Sequence, residues 1–273
     1  MSENFIFLIF SLSISLHAKE IAFSFDDAPV SSSYHYETNE RSHALIHKLK
    51  ALNINQAIVF ANPCKRKNIK SVIAQLKSYV DDGHLIGNHT CSHIRLDDVG
   101  FNRFTLDSNK GDLLLSPLFQ GQKFFRFPFL NEGTDLALRD KVRSWLNSHQ
   151  YKNGFVSIDT DDYIFSFKIN QAKAKRKKID YNKVKSLFVN HVIGAANFYD
   201  DLAIKTIGYS PKHVILLHEM DATVLFIDSL VNELKKQGWK VIGISEAYQD
   251  KLYNEHPLNL YAKKIINLPR ILN

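Results

Sequence analysis

The stretch Ile21-Ala22-Phe23-Ser24-Phe25-Asp26-Asp27 places an apolar, aromatic-rich run directly before two adjacent carboxylates. β-Branched and aromatic residues favour a strand, and the acidic pair marks where that strand ends. In a barrel of parallel strands, functional side chains gather at the carboxyl ends of the strands. The stretch therefore predicts the first strand of an α/β fold and one wall of its candidate site.

Six further runs of strand type follow, at residues 57–60, 85–87, 124–127, 154–158, 214–217 and 240–242. Longer amphipathic segments alternate with them, at residues 40–52, 69–82, 109–119, 134–148, 180–207 and 223–237. Alternation of this kind predicts parallel strands joined by helical crossovers, either in a closed barrel or in an open doubly wound sheet. No G-x-G-x-x-G motif follows the first strand, so a dinucleotide-binding fold is not supported.

The composition is that of an ordinary globular protein. Of 273 residues, 45% are hydrophobic and 23% are charged, which predicts a single folded domain with a sizeable core. The formal net charge is +7, but the one dense basic run, residues 173–178, lacks interleaved aromatic residues. Such a run is typical of a solvated helix or loop face, and no nucleic-acid partner is expected.

The N-terminus predicts export. Residues 5–16 form an apolar run followed by Ala18, which is long enough for a signal peptide and too short to cross a bilayer comfortably. We therefore expect a signal peptide at residues 1–18, a catalytic domain at 19–273, a periplasmic or secreted location and no stable membrane insertion. The sequence leaves the oligomeric state open.

Polar groups follow five of the predicted strands: Asp26 and Asp27, His89 and His93, Arg126, Asp159 to Asp162, and His218. The carboxyl ends of parallel strands share one face of the fold, so these groups are expected to lie together. Together they predict a candidate active site.

The pair in His89-Thr-Cys-Ser-His93 has the i, i+4 spacing that points two imidazoles the same way on one helical turn. With 12 histidines in the chain, chance alone produces roughly half an occurrence of such a pair, so the spacing needs support. Asp26 or Asp27 could complete a three-ligand site with open positions for water. The other aspartate would then be the general base acting on metal-activated water.

His218 and Arg126 each allow two readings. His218 follows an apolar run, and it is either a hydrogen-bonded core histidine or an acid that protonates a leaving group. Arg126 stands among aromatic residues and needs a carboxylate partner if it is buried, with Asp26, Asp159 and Asp162 as candidates. The adjacent aspartates 26 and 27, if they stood alone, would more often form turn hydrogen bonds.

Taken together, five motifs resemble the polysaccharide deacetylases, the NodB-like carbohydrate esterase family. In order along the chain they are Ser24-Phe-Asp-Asp-Ala-Pro29, His89-Thr-Cys-Ser-His93, Arg126-Phe-Pro128, Asp159-Thr-Asp-Asp-Tyr163 and Leu216-Leu-His218. The resemblance implies a distorted (β/α)7 barrel. It also implies metal-dependent hydrolysis that removes an N-acetyl or O-acetyl group from an acetylated glycan.

The same resemblance implies a role for each polar residue. Asp26 looks like the general base, with Arg126 orienting it. His218 looks like the general acid, tuned by Asp162 in preference to Asp159. The three residues that look like ligands of a divalent metal, with Zn²⁺ expected, are Asp27, His89 and His93.

The chain departs from the family pattern at three positions. Ala28 and Leu130 replace glycines, and Tyr163 replaces a tryptophan. Phe129, Leu130 and Tyr163 are expected to contact substrate as walls of the cleft, with the Phe129 N–H a donor to the oxyanion. No catalytic group is missing, although an O-acetyl esterase, a non-sugar amide hydrolase and an inert glycan-binding relative all stay open.

The two cysteines are too few for a disulfide framework. Cys91 lies at i+2 from His89, a position that faces away from a shared metal ion, so it is not expected to be a ligand. Cys64 follows the second predicted strand and Cys91 the third. Neighbouring strand ends would bring them within bridging distance, and export would let a disulfide persist.

Overall fold

Parallel pairing joins every strand of the sheet in the computed structural model, which describes residues 19–37 and 39–254. The strands are β1 Glu20–Ala28, β2 Ile58–Ala61, β3 Leu85–Asn88, β4 Lys123–Phe125, β5 Tyr151–Asn153, β6 Ile158–Asp159, β7 Lys212–His218 and β8 Lys240–Val241. The α-helices are α1 Glu40–Ala51, α2 Ile69–Asp81, α3 Leu96–Leu115, α4 Leu136–Ser148, α5 Tyr163–Ala174, α6 Tyr181–Ile207, α7 Asp221–Lys236 and α8 Ile244–Ala247.

Strand β1 holds the sheet together. The strand order is β5-β4-β3-β2-β1-β7-β6, and β8 pairs with the start of β1. The longest register joins residues 20–26 of β1 to residues 212–218 of β7, so that Asp26 lies level with His218. Strands covered on both faces are apolar throughout, which explains the composition of β1 and β7. The curled parallel sheet with its surrounding helices confirms the predicted distorted (β/α)7 barrel.

Alternate residues of the strands enter two different cores. Val59 of β2 packs in the cluster between sheet and helices, whereas Phe60 packs in a second cluster on the other face of the sheet. The Phe60 ring fills its space so closely that a Cβ at Gly87 would come within 2.5 Å of it, and one at Gly154 within 2.4 Å. Glycine at these two positions lets a large ring lie directly behind the candidate site.

Two predicted elements differ from the observed ones, and one observed helix was not predicted. Of the segment predicted as a strand at 154–158, only Ile158 belongs to a strand, β6, while β5 lies just before it at Tyr151–Asn153. Helix α3 begins far earlier than the predicted 109–119, and its amphipathic pattern is interrupted by Gly100 at φ 70°. Helix α5 was not predicted, because Tyr163-Ile-Phe-Ser-Phe167 is rich in aromatic and β-branched residues that favour strands.

The predicted signal peptide at residues 1–18 lies outside the described residues, as do residues 255–273. Among the helices that the structure describes, none combines the length and the apolar character needed to cross a bilayer.

A disulfide joins Cys64 to Cys91, as the sequence suggested, with the two Cα atoms 4.9 Å apart. Strands β2 and β3 are paired neighbours, and the cysteines lie in the segments that follow them. The backbone N–H of Cys64 also donates to the carbonyl of Cys91 at 2.8 Å. The bridge therefore fixes the segment after β3 to its neighbour.

The bridge is expected to stabilise the folded protein. A Cys64→Ser/Cys91→Ser variant should lose about 3–4 kcal/mol of unfolding free energy, because the bridge closes a loop between residues 27 apart. Denaturant unfolding of the wild type with and without reductant, beside the variant, measures this. Reduction should leave the variant unchanged. Two free thiols in the native, unreduced protein would contradict the pairing.

Candidate active site

A cleft of about 500 Å³ opens at the carboxyl ends of the central strands. Eight of the ten residues singled out in the sequence line it: Asp26, Asp27, His89, His93, Phe129, Leu130, Tyr163 and His218. The other two, Arg126 and Asp162, are buried behind it and bonded to residues that line it. The structure thus brings all of these residues to one place.

Asp27, His89 and His93 form a cluster that could hold a metal ion, with one ligand atom from each lying within 4.8 Å of the others. The Oδ1 atom of Asp27 is 3.2 Å from Nε2 of His93. The prediction that the two histidines share a helical turn is wrong. The segment is irregular, with Thr90 at φ 60° and His93 at φ 59°, and these left-handed residues turn the chain so that the rings converge.

The protonation states of the cluster suit a divalent cation. Burial lowers the pKa of His89 and of His93 to about 3, so both rings are neutral at neutral pH. The Nδ1 atom of His89 is 2.7 Å from the carbonyl oxygen of Arg126, which makes Nδ1 the donor and leaves Nε2 free to bind metal. Burial acts to raise the pKa of Asp27, but His93 and Lys65 outweigh it and lower it. Two imidazoles and one carboxylate are a donor set that fits zinc with open positions for water.

Arg126 is the largest fully buried side chain of the described residues, and its donors are used within the protein. Its Nη1 donates to Oδ1 of Asp26 at 2.6 Å and to Oγ of Ser24 at 2.9 Å. Its Nε donates to the Gly154 carbonyl at 2.8 Å, and the guanidinium lies 3.9 Å from the centre of the Phe60 ring. Of the three carboxylates considered as its partner, the structure pairs it with Asp26.

Asp26 is held by Arg126 through one oxygen only. Its other oxygen, Oδ2, lies 3.6 Å from Nε2 of His89, on the cleft side. Burial raises the pKa of Asp26, and the nearby Arg126 opposes that rise. The carboxylate is therefore more basic than an exposed one and is kept in a fixed orientation.

His218, which is half-buried, forms a second pair with the buried Asp162. Its Nδ1 is 2.6 Å from Oδ1 of Asp162, and its backbone N–H donates to Oδ2 at 2.9 Å. Thr223 donates its hydroxyl to the same Oδ2 at 2.6 Å. Burial acts to lower the pKa of His218, but Asp162 and the aspartates of the cleft outweigh it and raise the pKa to about 9. The Nδ1–Asp162 bond leaves Nε2 as the nitrogen free to act on a ligand.

The predicted apolar walls differ in their exposure. Phe129 is 50% exposed, and its ring centre lies 4.5 Å from that of His93. Leu130 is only 7% exposed and packs in the second core. Both have positive φ, 59° and 50°, a conformation that favours glycine. This part of the wall therefore carries two large side chains at backbone positions where glycine would be more flexible. The Tyr163 ring lies 5.3 Å from that of His218.

Sequence reasoning missed several residues that support the site. Lys65 approaches Oδ1 of Asp27 at 3.1 Å, and Tyr248 accepts from Nη2 of Arg126 at 3.3 Å. Thr223 holds Asp162, as described above. Nothing in the local pattern marks Lys65 or Tyr248, since both reach the site through the fold. Thr223 lies five positions beyond His218, at the start of a predicted helix, and that position was the only available signal.

Comparison with known proteins places this chain beside carbohydrate deacetylases. A family model described as polysaccharide deacetylase matches residues 14–153, which are 140 of the 273 residues. A chitin deacetylase of Arthroderma benhamiae is 24% identical over 238 residues, covering 86% of this chain. The alignment covers 53% of that relative, so the chain spans about half the length of the curated protein it matches.

Solved structures share the fold. A peptidoglycan N-acetylglucosamine deacetylase superposes with a TM-score of 0.59 at 22% identity, covering 85% of this chain and 89% of that one. A CE4 family pseudoenzyme from Bacillus anthracis superposes with a TM-score of 0.58 at 19% identity, covering 84% and 65%. Since the family model covers more than half of the sequence, the chain belongs to the polysaccharide deacetylase family.

Proposed function

We propose that this protein removes acetyl groups, in particular N-acetyl groups, from a carbohydrate by metal-dependent hydrolysis. One observation carries the proposal: a buried carboxylate, Asp26, and a half-buried imidazole, His218, lie side by side on paired strands at one cleft, beside a cluster of three possible metal ligands. A proton acceptor and a proton donor in one cleft are what amide hydrolysis requires. The chitin deacetylase relative supports a glycan that carries N-acetylglucosamine.

Asp27, His89 and His93 would hold the cation, with Zn²⁺ the ion that this donor set suits best. When bound, a divalent cation supplies a Lewis acid that lowers the pKa of water and polarises the acyl carbonyl. The Phe129 backbone N–H is proposed as an additional donor to the acyl oxygen. No covalent nucleophile is required.

Asp26 is proposed as the general base. Arg126 occupies Oδ1 and leaves Oδ2 turned toward the metal-ligand side, so Oδ2 accepts the proton of the attacking water. The raised pKa of Asp26 brings this carboxylate nearer to the value that makes a base effective. Arg126 acts as a positioning residue, because its other donors fix it to Ser24 and Gly154.

His218 is proposed as the general acid. Asp162 holds Nδ1, so the proton on Nε2 is delivered to the departing nitrogen as the carbon–nitrogen bond breaks. An amine leaves as a neutral species only when it receives this proton, whereas an alcohol leaves more readily. The raised pKa of His218 keeps the ring protonated at neutral pH, and that proton matters more to the departing amine of an amide than to the alcohol of an ester.

The proposal extends to location and domain organisation. Residues 1–18 would be a signal peptide and residues 19–273 the exported catalytic domain, in line with a disulfide-bonded protein that acts on a polymer outside the cytoplasm.

Replacement of the base is expected to remove activity. Asp26→Asn should lower the rate of acetate release by about 10²–10⁴-fold, since it removes the proton acceptor but keeps the shape. Acetate released from acetylated chito-oligosaccharides and peptidoglycan fragments is measured with and without added zinc. Asp81→Asn, a change on an exposed face of α2, is the matched control. If the wild type released no acetate from any substrate in a metal-dependent way, the proposal would be wrong. If Asp26→Asn kept the wild-type rate, Asp26 would not be the base.

Replacement of a ligand is expected to weaken metal binding. His93→Ala should lower zinc affinity by more than about 10²-fold, because losing even an outer partner of a metal ligand costs 10–100-fold. Calorimetric titration of metal-free protein measures this without any substrate. His47→Ala, on the exposed face of α1, should bind zinc like the wild type. Equal affinity of the two variants would remove His93 from the ligand set.

Replacement of the partner of the acid is expected to shift its titration. Asp162→Asn should lower the pKa of His218 from about 9, because burial is then opposed by fewer negative charges. The imidazole proton shifts of metal-free protein, followed by NMR against pH, report this pKa. Asp159→Asn is the matched control, and a larger shift in that variant would make Asp159 the partner.

The same pair makes stability depend on pH in metal-free protein. The folded pKa of His218, about 9, lies above its unfolded value of about 6.5. Its contribution to stability is therefore fully present below pH 6.5 and is lost as the pH rises through 9. Unfolding free energy measured across this window should fall less steeply in Asp162→Asn than in the wild type.

A further inference from the structure

The net charge of this protein is concentrated in one segment. Residues 163–185, which form α5, the connection to α6 and the start of α6, contain seven lysines, one arginine and a single carboxylate, Asp180. Their formal net charge of +7 equals that of the whole chain, so the remaining residues are balanced. Seven of the eight cationic side chains are exposed, and Lys185 is half-buried.

These cations lack acidic partners within the part of the chain that the structure describes, where none of the eight forms an ion pair with a carboxylate. The Asp180 carboxylate is used elsewhere, since its Oδ1 accepts from the backbone N–H groups of Asn182 and Lys183, each at 3.1 Å. One or two cations at the C-terminal end of α5 would stabilise the helix dipole, but that role does not account for eight. The segment therefore offers positive charge to a partner.

The connection between α5 and α6 holds the basic run in a defined conformation. The backbone N–H of Lys177 donates to the Ala172 carbonyl at 2.9 Å, and that of Arg176 donates to the Lys173 carbonyl at 2.9 Å. Arg176 has φ 52°, the left-handed conformation with which many helices end. Residues 175–178 thus project from a hydrogen-bonded turn between two helices.

Exposed apolar side chains lie on the outward face of α5. Ile164 is 45% exposed and Phe167 is 61% exposed. At spacings of i+3, i+4, i+7 and i+11 from Ile164, one exposed helical stripe is completed by Phe167, Lys168, Gln171 and Lys175. The stripe is roughly 16 Å long, at about 1.5 Å of rise per residue. It begins beside the catalytic cleft, which Phe167 lines, and ends in the basic run.

We propose that the α5 surface, formed by this stripe and the basic run, docks reversibly on an anionic phospholipid membrane. The cations would contact headgroup phosphates, while Ile164 and Phe167 would enter the apolar edge of the interface, as in other helices that lie on membranes. A soluble polyanion would use the cations but leave both apolar side chains in water, so their presence favours a lipid surface. The inference goes beyond the proposed hydrolysis and does not depend on it.

Removal of charge tests the electrostatic part. Co-sedimentation measures binding to phosphatidylcholine vesicles with and without phosphatidylglycerol. The wild type should bind the anionic vesicles more tightly, and added salt should weaken that binding. Replacing the basic residues 175–178 should lower the partition coefficient by at least about 10²-fold, the changes being Lys175→Gln, Arg176→Gln, Lys177→Gln and Lys178→Gln.

A matched control removes the same charge from exposed residues before and within α2 and on α3. It also replaces three lysines and one arginine, the changes being Lys67→Gln, Lys70→Gln, Arg103→Gln and Lys110→Gln. This variant should keep most of the affinity for anionic vesicles, because its cations lie away from the α5 surface. Thermal melting shows that each variant is folded.

A second variant separates a membrane from a soluble polyanion. Ile164→Ser/Phe167→Ser should bind anionic vesicles at least about 10-fold less tightly than the wild type, because two apolar side chains no longer enter the interface. It should bind polyphosphate as the wild type does. Leu106→Ser/Leu113→Ser changes two side chains on α3 that are 72% and 75% exposed, and it should bind vesicles like the wild type.

Three results would overturn the inference. The first is equal binding of the wild type to neutral and anionic vesicles. The second is an equal loss in the variant of residues 175–178 and in its matched control, which would make overall charge the only cause. The third is wild-type vesicle affinity in Ile164→Ser/Phe167→Ser, which would make the partner a soluble polyanion instead of a membrane.

Discussion

The buried guanidinium of Arg126 is the constraint on which the site depends. A charge that is 1% exposed is tolerated only if its donors are satisfied, and four separate parts of the chain satisfy them: Asp26 of β1, the Gly154 carbonyl, Tyr248 near the C-terminal end of the described chain, and the ring of Phe60. Each must arrive in place when the barrel closes. Closure of the barrel therefore also fixes the orientation of the candidate base, Asp26.

Two residues that line the cleft are each held by a buried charged partner. In each of two pairs one partner is buried behind the cleft and the other, which is proposed to react, lines it: Arg126 behind Asp26, and Asp162 behind His218. The buried partner uses one atom of the reactive group and leaves the other free, which fixes orientation without blocking reaction. Because β1 and β7 are paired in register, Asp26 and His218 lie side by side at one edge of the cleft.

The segments that follow the strands shape the walls of the cleft. The Cys64–Cys91 bridge ties the segment that bears His89 and His93 to its neighbour, while Phe129 and Leu130 take left-handed conformations that set fixed bulk beside the metal-ligand cluster. Phe167 and Met220 line both this cleft and a second cavity beside it. The family fold thus carries cleft walls whose side chains are particular to this chain.

The sequence by itself determined the strand-helix alternation and the polar residues at the strand ends, because burial on both faces makes parallel strands apolar and their carboxyl ends share one face. Helix α5 was missed because its aromatic residues favour a strand locally, whereas packing against α7 makes it a helix. The residue pattern alone left three carboxylates open as the partner of Arg126, and the family resemblance pointed to Asp26, which the structure pairs with it. The tertiary structure decided the approach of Lys65 to Asp27 and the left-handed residues that bring His89 and His93 together. These are contacts between distant segments or backbone conformations imposed by closure of the barrel, and neither leaves a periodic signal in the sequence.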